Sequence, residues 1–331
     1  MFNQRKIFVS LLSVLVYLSL FAGTAVFASG GGFHDSKTAI VIANFGTTVP
    51  EAVSSLTNIS EMVKKTFPGT EVRITFTSNI VRSVWRERQA EAQKWLDMGI
   101  PKEVLYVKNV IQTLGDLQEE GFRTIVVQPT HMFYMEQSHD LNAYLMAMNN
   151  IRTMKPNWKP FETIVMGRPA LGMPGVEFDY NKDIDAVVKS LKSDADEAKK
   201  EGAMLVYMGH GNDYWSTGIY AETQKAMRTA YPDVDTFIGV VEGSPKLADF
   251  MSHLKHAKTK KVILRPFMIT AGDHATNDMA GPEEDSWLSV LKSEGYKVTP
   301  VLKGLGSNDA FARVLIDHIK DAAKSRGIAL R

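Results

Sequence analysis

The sequence has 331 residues, of which 44% are hydrophobic and 23% charged, with a formal net charge of +1 and no cysteine. That balance suits a globular protein of one large or two medium domains, and it lacks the basic excess that holding nucleic acid requires. Without thiols, disulfides are excluded, and any metal site must use imidazole, carboxylate or water.

The chain opens on Arg5-Lys6 and an apolar run from Ile7 to Phe21. "AVFA" (25–28) then puts small residues at the −3 and −1 positions of a cleavage site after Ala28. Residues 1–28 are therefore expected to be a signal peptide and the mature chain to be periplasmic. Its net charge falls from +1 to −1, because the leader holds two cations and no acid. An uncleaved anchor is the competing reading, since Ile7 to Ala28 is long enough to cross a bilayer. The thinning of the run into Ala-Gly-Thr favours cleavage, which leaves no membrane attachment and a flexible "SGGGFHDSK" start.

From Lys37 on, apolar runs alternate with amphipathic helices. "TAIVIANFGT" (38–47) predicts a strand, and the segment after it a helix with Val53, Leu56, Ile59, Val63 and Phe67 on one face. "VRITFTSN" (72–79) is the next strand, followed by charged "RSVWRERQAEAQKWL". A helix is expected to open at Pro101, to carry Val104, Val107, Ile111, Leu114 and Leu117 as its stripe, and to stop at Gly121. "TIVVQPTHM" (124–132), a helix through Leu141, Leu145 and Met148, and "ETIVMGRPAL" (162–171) complete the half.

The second half repeats this order. "AMLVYMGHGN" (203–212) corresponds to the first strand, "TFIGVVEGSP" (236–245) to the second, "KVILRPFMIT" (261–270) to the third and "KVTPVLKGLG" (297–306) to the fourth. A helix from Lys182 to Lys200, burying Ile184, Val187, Val188 and Leu191, is expected to link the halves, and a helix from Asp309 to Ser325 closes the chain. The expected fold class is α/β: two similar doubly wound, Rossmann-like domains (29–172 and 173–331) with parallel sheets facing a central cleft. In such folds ligands sit beyond the carboxyl ends of the strands.

Three strand ends of the second half each carry a metal-ligating side chain: His210 in "MGHGN", Glu242 in "VVEGSP" and His274 in "AGDHATND". Neighbouring parallel strands end on one edge, so the three can converge there. Two histidines and a glutamate suit a divalent first-row ion with open coordination positions. Glycines at 209, 211, 243 and 272 keep the approach free of side chains. Any one of the three alone is more simply a turn residue; their common register singles them out. His318 falls on the apolar face of the last helix and suits a core or interface role. His253 and His256 suit a solvated face, and His34 the flexible start. "GLGSND" (304–309) holds no full dinucleotide fingerprint, and nothing matches a phosphate-binding P-loop.

"MGHGN", "VVEGSP" and above all "RPFMITAGDHATNDMAGPEEDSW", with "NFGTT" (44–48), "FTSNIVR" (76–82) and "GLGSN" (304–308), resemble the class II chelatases of the anaerobic sirohydrochlorin cobaltochelatase type. The resemblance spans nearly the whole mature chain. It implies two α/β domains and insertion of a divalent ion, Co2+ or Fe2+, into the tetrapyrrole sirohydrochlorin, a step toward cobalamin. It carries the family's metal-binding histidines to His210 and His274 and its glutamate to Glu242. It makes Phe45, Gly46 and Thr47 of "NFGTT" substrate-binding residues. Insertion strips water from the ion and removes two pyrrole protons; either histidine can accept one, and Glu242 the second. The substrate's carboxylates call for cations, with Arg82 as first candidate, then Arg86 and Arg88; a solvated helix face alternating with Glu87 and Glu91 is the plain alternative. The leader departs from the usual cytoplasmic member, so an exported metal- or haem-binding or transport protein on the same fold is the other reading.

One stretch bears on that alternative. "QPTHMFYMEQSHDLNAYLMAM" (128–148) crowds His131, Met132, Phe133, Tyr134, Met135 and His139 together. His131 is expected to line the cleft and His139 to sit on a solvated helical turn. At a subunit contact of a homo-oligomer, either would be a candidate axial ligand for haem.

Overall fold

A computed structural model describes residues 37–173, 175 and 177–331. The expected leader, its cleavage site and His34 lie outside the described residues. Strands β1 (Lys37–Asn44), β2 (Glu71–Phe76), β3 (Phe122–Pro129) and β4 (Thr163–Met166) form one sheet in the order β2-β1-β3-β4. Strands β5 (Met204–Gly211), β6 (Thr236–Glu242), β7 (Lys261–Pro266) and β8 (Lys297–Pro300) form a second in the order β6-β5-β7-β8. Every pairing in both sheets is parallel. The two halves therefore share one topology, as their matched order of apolar runs predicts. Ala39 to Ala43 and Met204 to Met208 are each 0% exposed. Both faces of these central strands are covered, so the runs are continuous rather than alternating.

Helix α1 (Val53–Thr66) buries Val53, Leu56, Ile59 and Val63 on one face, and Phe67 is buried just past its end. Helix α2 (Asn79–Arg88) starts where the Ser78 hydroxyl accepts from the Val81 N–H. The continuous helix expected from Pro101 is instead split. A short turn, Lys102–Leu105, precedes α3 (Val110–Glu119). Asn109 and Gln112 form a reciprocal capping box at the break, and the Lys108 carbonyl accepts from the Phe76 N–H and the Thr75 hydroxyl at the end of β2. These bonds satisfy donors that a continuous helix would leave unpaired, and they leave Ile111 exposed.

Helix α4 (Glu136–Asn149) follows β3. The linking helix also breaks, at Leu191, into α5 (Tyr180–Ser190) and α6 (Lys192–Glu201), with all four expected apolar residues buried. Helices α7 (Gly218–Ala230), α8 (Leu247–Leu254) and α9 (Trp287–Ser293) cover the second sheet, and α10 (Asp309–Ser325) ends the fold. Helix α10 crosses from the second sheet to the first: it packs against α1, β3 and β4 beside the first sheet, and against α5. It buries Phe311, Leu315, Ile316 and Ile319 there, each such side chain contributing about 1.5–3 kcal/mol. A buried charge network fixes the crossing. Arg168 donates to both Asp183 carboxylate oxygens at 2.6 and 2.8 Å and pairs with Asp321 at 2.9 Å. His318, 2% exposed, meets Asp183 through Nε2 and the Arg168 carbonyl through Nδ1, both at 3.1 Å.

Candidate functional site

His210 is the penultimate residue of β5 and Glu242 the last of β6, and the strand register pairs Gly211 with Glu242. Gly211 has φ +78°, and a Cβ there would lie 1.8 Å from the Glu242 carbonyl oxygen, so only glycine lets the two strand ends meet. His274 precedes a π-helical turn, Ala275–Met279, that is anchored by the wholly buried Ala275 and Met279. This turn brings His274 to His210: their ring centroids are 4.9 Å apart, with planes at 82°.

The partners of the two rings assign a hydrogen to one nitrogen of each. His210 Nδ1 lies 3.0 Å from the Gly211 carbonyl oxygen and His274 Nδ1 lies 2.8 Å from the Asp278 carboxylate. Both partners can only accept, so both Nδ1 atoms carry hydrogen, and the Nε2 of each ring is the nitrogen left for a metal ion or a proton. Glu242 stands on the other side: its carboxylate is 3.8 Å from His210 Nδ1, beyond hydrogen-bond range. Among the described residues no three His, Asp or Glu side chains are gathered closely enough to hold an ion together. The fold pairs the two imidazoles and puts Glu242 beside one of them. Its side chain is 41% exposed.

The pair lines a cleft of about 380 Å³ with walls from both halves. Phe45, Gly46, Thr47, His131 and Glu136 come from the first half, and His210, Asp273 and His274 from the second; Glu242 does not line it. Gly46 has φ +100°, and a Cβ there would meet the Phe76 ring at 2.7 Å. Trp85 Nε1 donates to the Thr47 carbonyl at 2.8 Å, holding this loop against α2.

No Lys or Arg lines this cleft among the described residues. Arg82 borders an adjoining pocket that shares Phe45, Ser78, Ile80 and Gln137 with it. Its guanidinium folds back onto the Phe76 and Thr77 carbonyls and the Asn79 side chain. Arg88 lies 4.5 and 4.3 Å from the ring centroids of Trp85 and Trp95, whose planes meet edge to face, and donates to the Thr48 carbonyl. These contacts brace the loop after β1 against α2. Arg86 is exposed on α2.

His131 lines the cleft at 2% exposure, with Nδ1 2.8 Å from the Ser138 hydroxyl and Nε2 lacking a hydrogen-bond partner. Burial pulls its pKa from the ordinary 6.5 down to about 4. The unfolded chain therefore takes up this proton first as the pH falls. Stability is lost between about pH 6.5 and 4, up to about 3 kcal/mol, with no further loss from this group below that range. Denaturant midpoints measured across this range are expected to fall steeply for wild type and less for His131→Gln. Equal slopes in the two proteins would contradict the assignment. His139 lies outside the cleft, 57% exposed on its side chain and 5.9 Å from the Trp215 ring.

Two residues join the site that the pattern of strand ends did not single out. Glu136, the first residue of α4, accepts a hydrogen bond from Asn212, just beyond β5, and so ties the two halves at the cleft wall. Asn212 Oδ1 also accepts from the Tyr214 and Trp215 N–H groups, both at 2.7 Å. Glu136 stands in the same stretch as His131, but its relation to Asn212 spans 76 positions and has no local signal.

Paired imidazoles with free Nε2 atoms, at the carboxyl ends of parallel strands beside a two-walled cleft, define a metal-handling α/β protein. The chain belongs to the cobalt chelatase (CbiK) family, whose profile matches residues 38–324. It is 29% identical over 290 residues to the sirohydrochlorin cobaltochelatase CbiKC of Nitratidesulfovibrio vulgaris (strain Hildenborough), covering 88% of this chain and 92% of that one. It is 25% identical over 288 residues to the sirohydrochlorin cobaltochelatase of Salmonella typhimurium (strain LT2), covering 86% of this chain and 96% of that one. A carbohydrate transporter solute binding protein from Agrobacterium radiobacter aligns over 89% of this chain at 15% identity, and its TM-score of 0.32 is too low to carry an argument.

Proposed function

We propose that this chain inserts Co2+ into sirohydrochlorin, as a step of cobalamin biosynthesis, with the ion as substrate held at His210 and His274. The observation that carries the reading is the ring pair itself, with both Nδ1 atoms committed and both Nε2 atoms free at the floor of the cleft. Membership of the cobalt chelatase family and the names of both relatives support it. Insertion exchanges two pyrrole N–H bonds for cobalt–nitrogen bonds and releases two protons. An imidazole Nε2 relinquished by the ion takes one proton, and Glu242 or Glu136 takes the other. The largely apolar wall around Phe45, Leu56 and Ile269 favours shedding of water from the ion. Fe2+ suits the same nitrogen and oxygen donors, and competition between the two ions measures the preference. Steady-state conversion of sirohydrochlorin to its cobalt complex by the mature chain tests the proposal; no conversion above the buffer rate contradicts it and favours a binding role.

Substrate carboxylates are placed at the edge of the cleft, toward Arg82. Arg82→Ala is expected to raise the KM for sirohydrochlorin about tenfold at low salt, and less at high salt, with little change in kcat. A salt-independent loss, or lowered stability alone, would leave Arg82 as a brace for the end of β2. The signal-peptide pattern of residues 1–28 supports a periplasmic location, and on this reading the protein from a periplasmic fraction is expected to begin at Ser29. For haem, His139 is the accessible imidazole and His131 the enclosed one. A second copy of the chain covers the other face of a haem bound there. Haemin added to wild type is expected to give a Soret shift that His139→Ala removes and His131→Ala keeps.

A further inference from the structure

The two imidazoles at the floor of the cleft are not backed alike. His210 Nδ1 meets a neutral backbone carbonyl, whereas His274 Nδ1 meets a carboxylate at 2.8 Å. That carboxylate belongs to Asp278, four residues on, inside the π-helical turn. Residues four apart along a helical turn lie on one face, which sets Asp278 behind the ring. The turn is held at both ends. Asn277 Nδ2 donates to Asp273 at 2.9 Å, the Gly281 N–H donates to the Asn277 carbonyl at 2.8 Å, and Ala275 and Met279 are wholly buried. The Asp278 side chain is itself 46% exposed and packs into no core, so the fold does not need it for volume.

We propose that Asp278 is a positioning residue for cobalt binding. By accepting the Nδ1 hydrogen it locks His274 in the tautomer and ring orientation that present Nε2 to the ion, and it makes His274 the stronger donor of the two imidazoles. This rests on the reading of His210 and His274 as the cobalt-binding pair. Asp278 touches the ligand and not the ion, so its effect passes through His274.

The test is Co2+ binding to the mature chain without tetrapyrrole, followed by the visible absorption of bound cobalt. Asp278→Asn is expected to weaken Co2+ binding about 10- to 100-fold with unchanged thermal melting, and Asp278→Glu to bind closer to wild type. The double variant Asp278→Asn/His274→Ala is expected to bind no more weakly than His274→Ala alone. Wild-type affinity in Asp278→Asn overturns the proposal. So does an equal loss from Asp278→Asn whether or not His274 is present, because Asp278 would then act on the ion by its charge. Wild-type affinity in His274→Ala is a different failure: it removes the cobalt-binding pair itself, and the positioning role with it.

Discussion

Replacing His210 or His274 by alanine is expected to lower the rate of cobalt insertion at least about 10³-fold, because each change removes a metal donor and a proton acceptor together. The fold is expected to survive. The two side chains are 29% and 34% exposed at the carboxyl edge of the second sheet, outside its core, and substitutions at such positions stay within about 0.5 kcal/mol. Glu242→Gln is expected to cost less than either, since Glu242 stands on the Nδ1 side of His210 and outside the cleft lining. Initial insertion rates at saturating cobalt check the order. A histidine variant that keeps a tenth of the wild-type rate would contradict the roles assigned to the pair.

Asp183→Ala is expected to lower stability by about 3–5 kcal/mol, because it strips the carboxylate from the buried Arg168 and His318. Burial alone would raise the Asp183 pKa, but the hydrogen bonds and charges of His318 and Arg168 outweigh it and hold the pKa below the ordinary 3.8. The sign follows. The stabilisation is present above the ordinary carboxylate range and is lost as the pH falls through the lowered value. Acid unfolding of wild type should therefore show two regions of loss, an upper one from His131 between about pH 6.5 and 4 and a lower one from Asp183. Asp183→Ala should lack the lower one. Amide exchange should quicken most in α10, whose His318 loses its carboxylate partner on α5. Unchanged exchange in α10 would show that its apolar face alone secures the crossing.

The continuous apolar runs around Ile40 and Val206 announced buried parallel strands because they differ from the 3.6-residue stripes of Leu56 and Ile59 or Leu315 and Ile319. The matched order of the halves likewise gave one topology twice. The shared edge of His210 and His274 was legible for the same reason, since parallel strands must end on one side, but β7 ends at Pro266 and the turn Ala275–Met279 closes the remaining distance. What stayed hidden depends on partners far along the chain. Nothing in the stripe from Val104 to Leu117 shows that the ends of β2 would claim the Lys108 carbonyl and break the helix. Nothing local to α10 says that Asp183, 135 residues earlier, would hold His318. Arg82 looked free to meet a substrate because its carbonyl partners are backbone atoms, which a side-chain pattern does not display. Asp278 is the exception: its i, i+4 spacing from His274 lay in plain view within "DHATND".

The central claim is that cobalt sits between the Nε2 atoms of His210 and His274. X-ray absorption of the Co2+-loaded protein tests it most directly. The expected first shell holds two imidazole nitrogens at about 2.1 Å, with oxygen completing it, and it loses one imidazole in His210→Ala and one in His274→Ala. An all-oxygen shell, or an imidazole count unchanged in both variants, would contradict it.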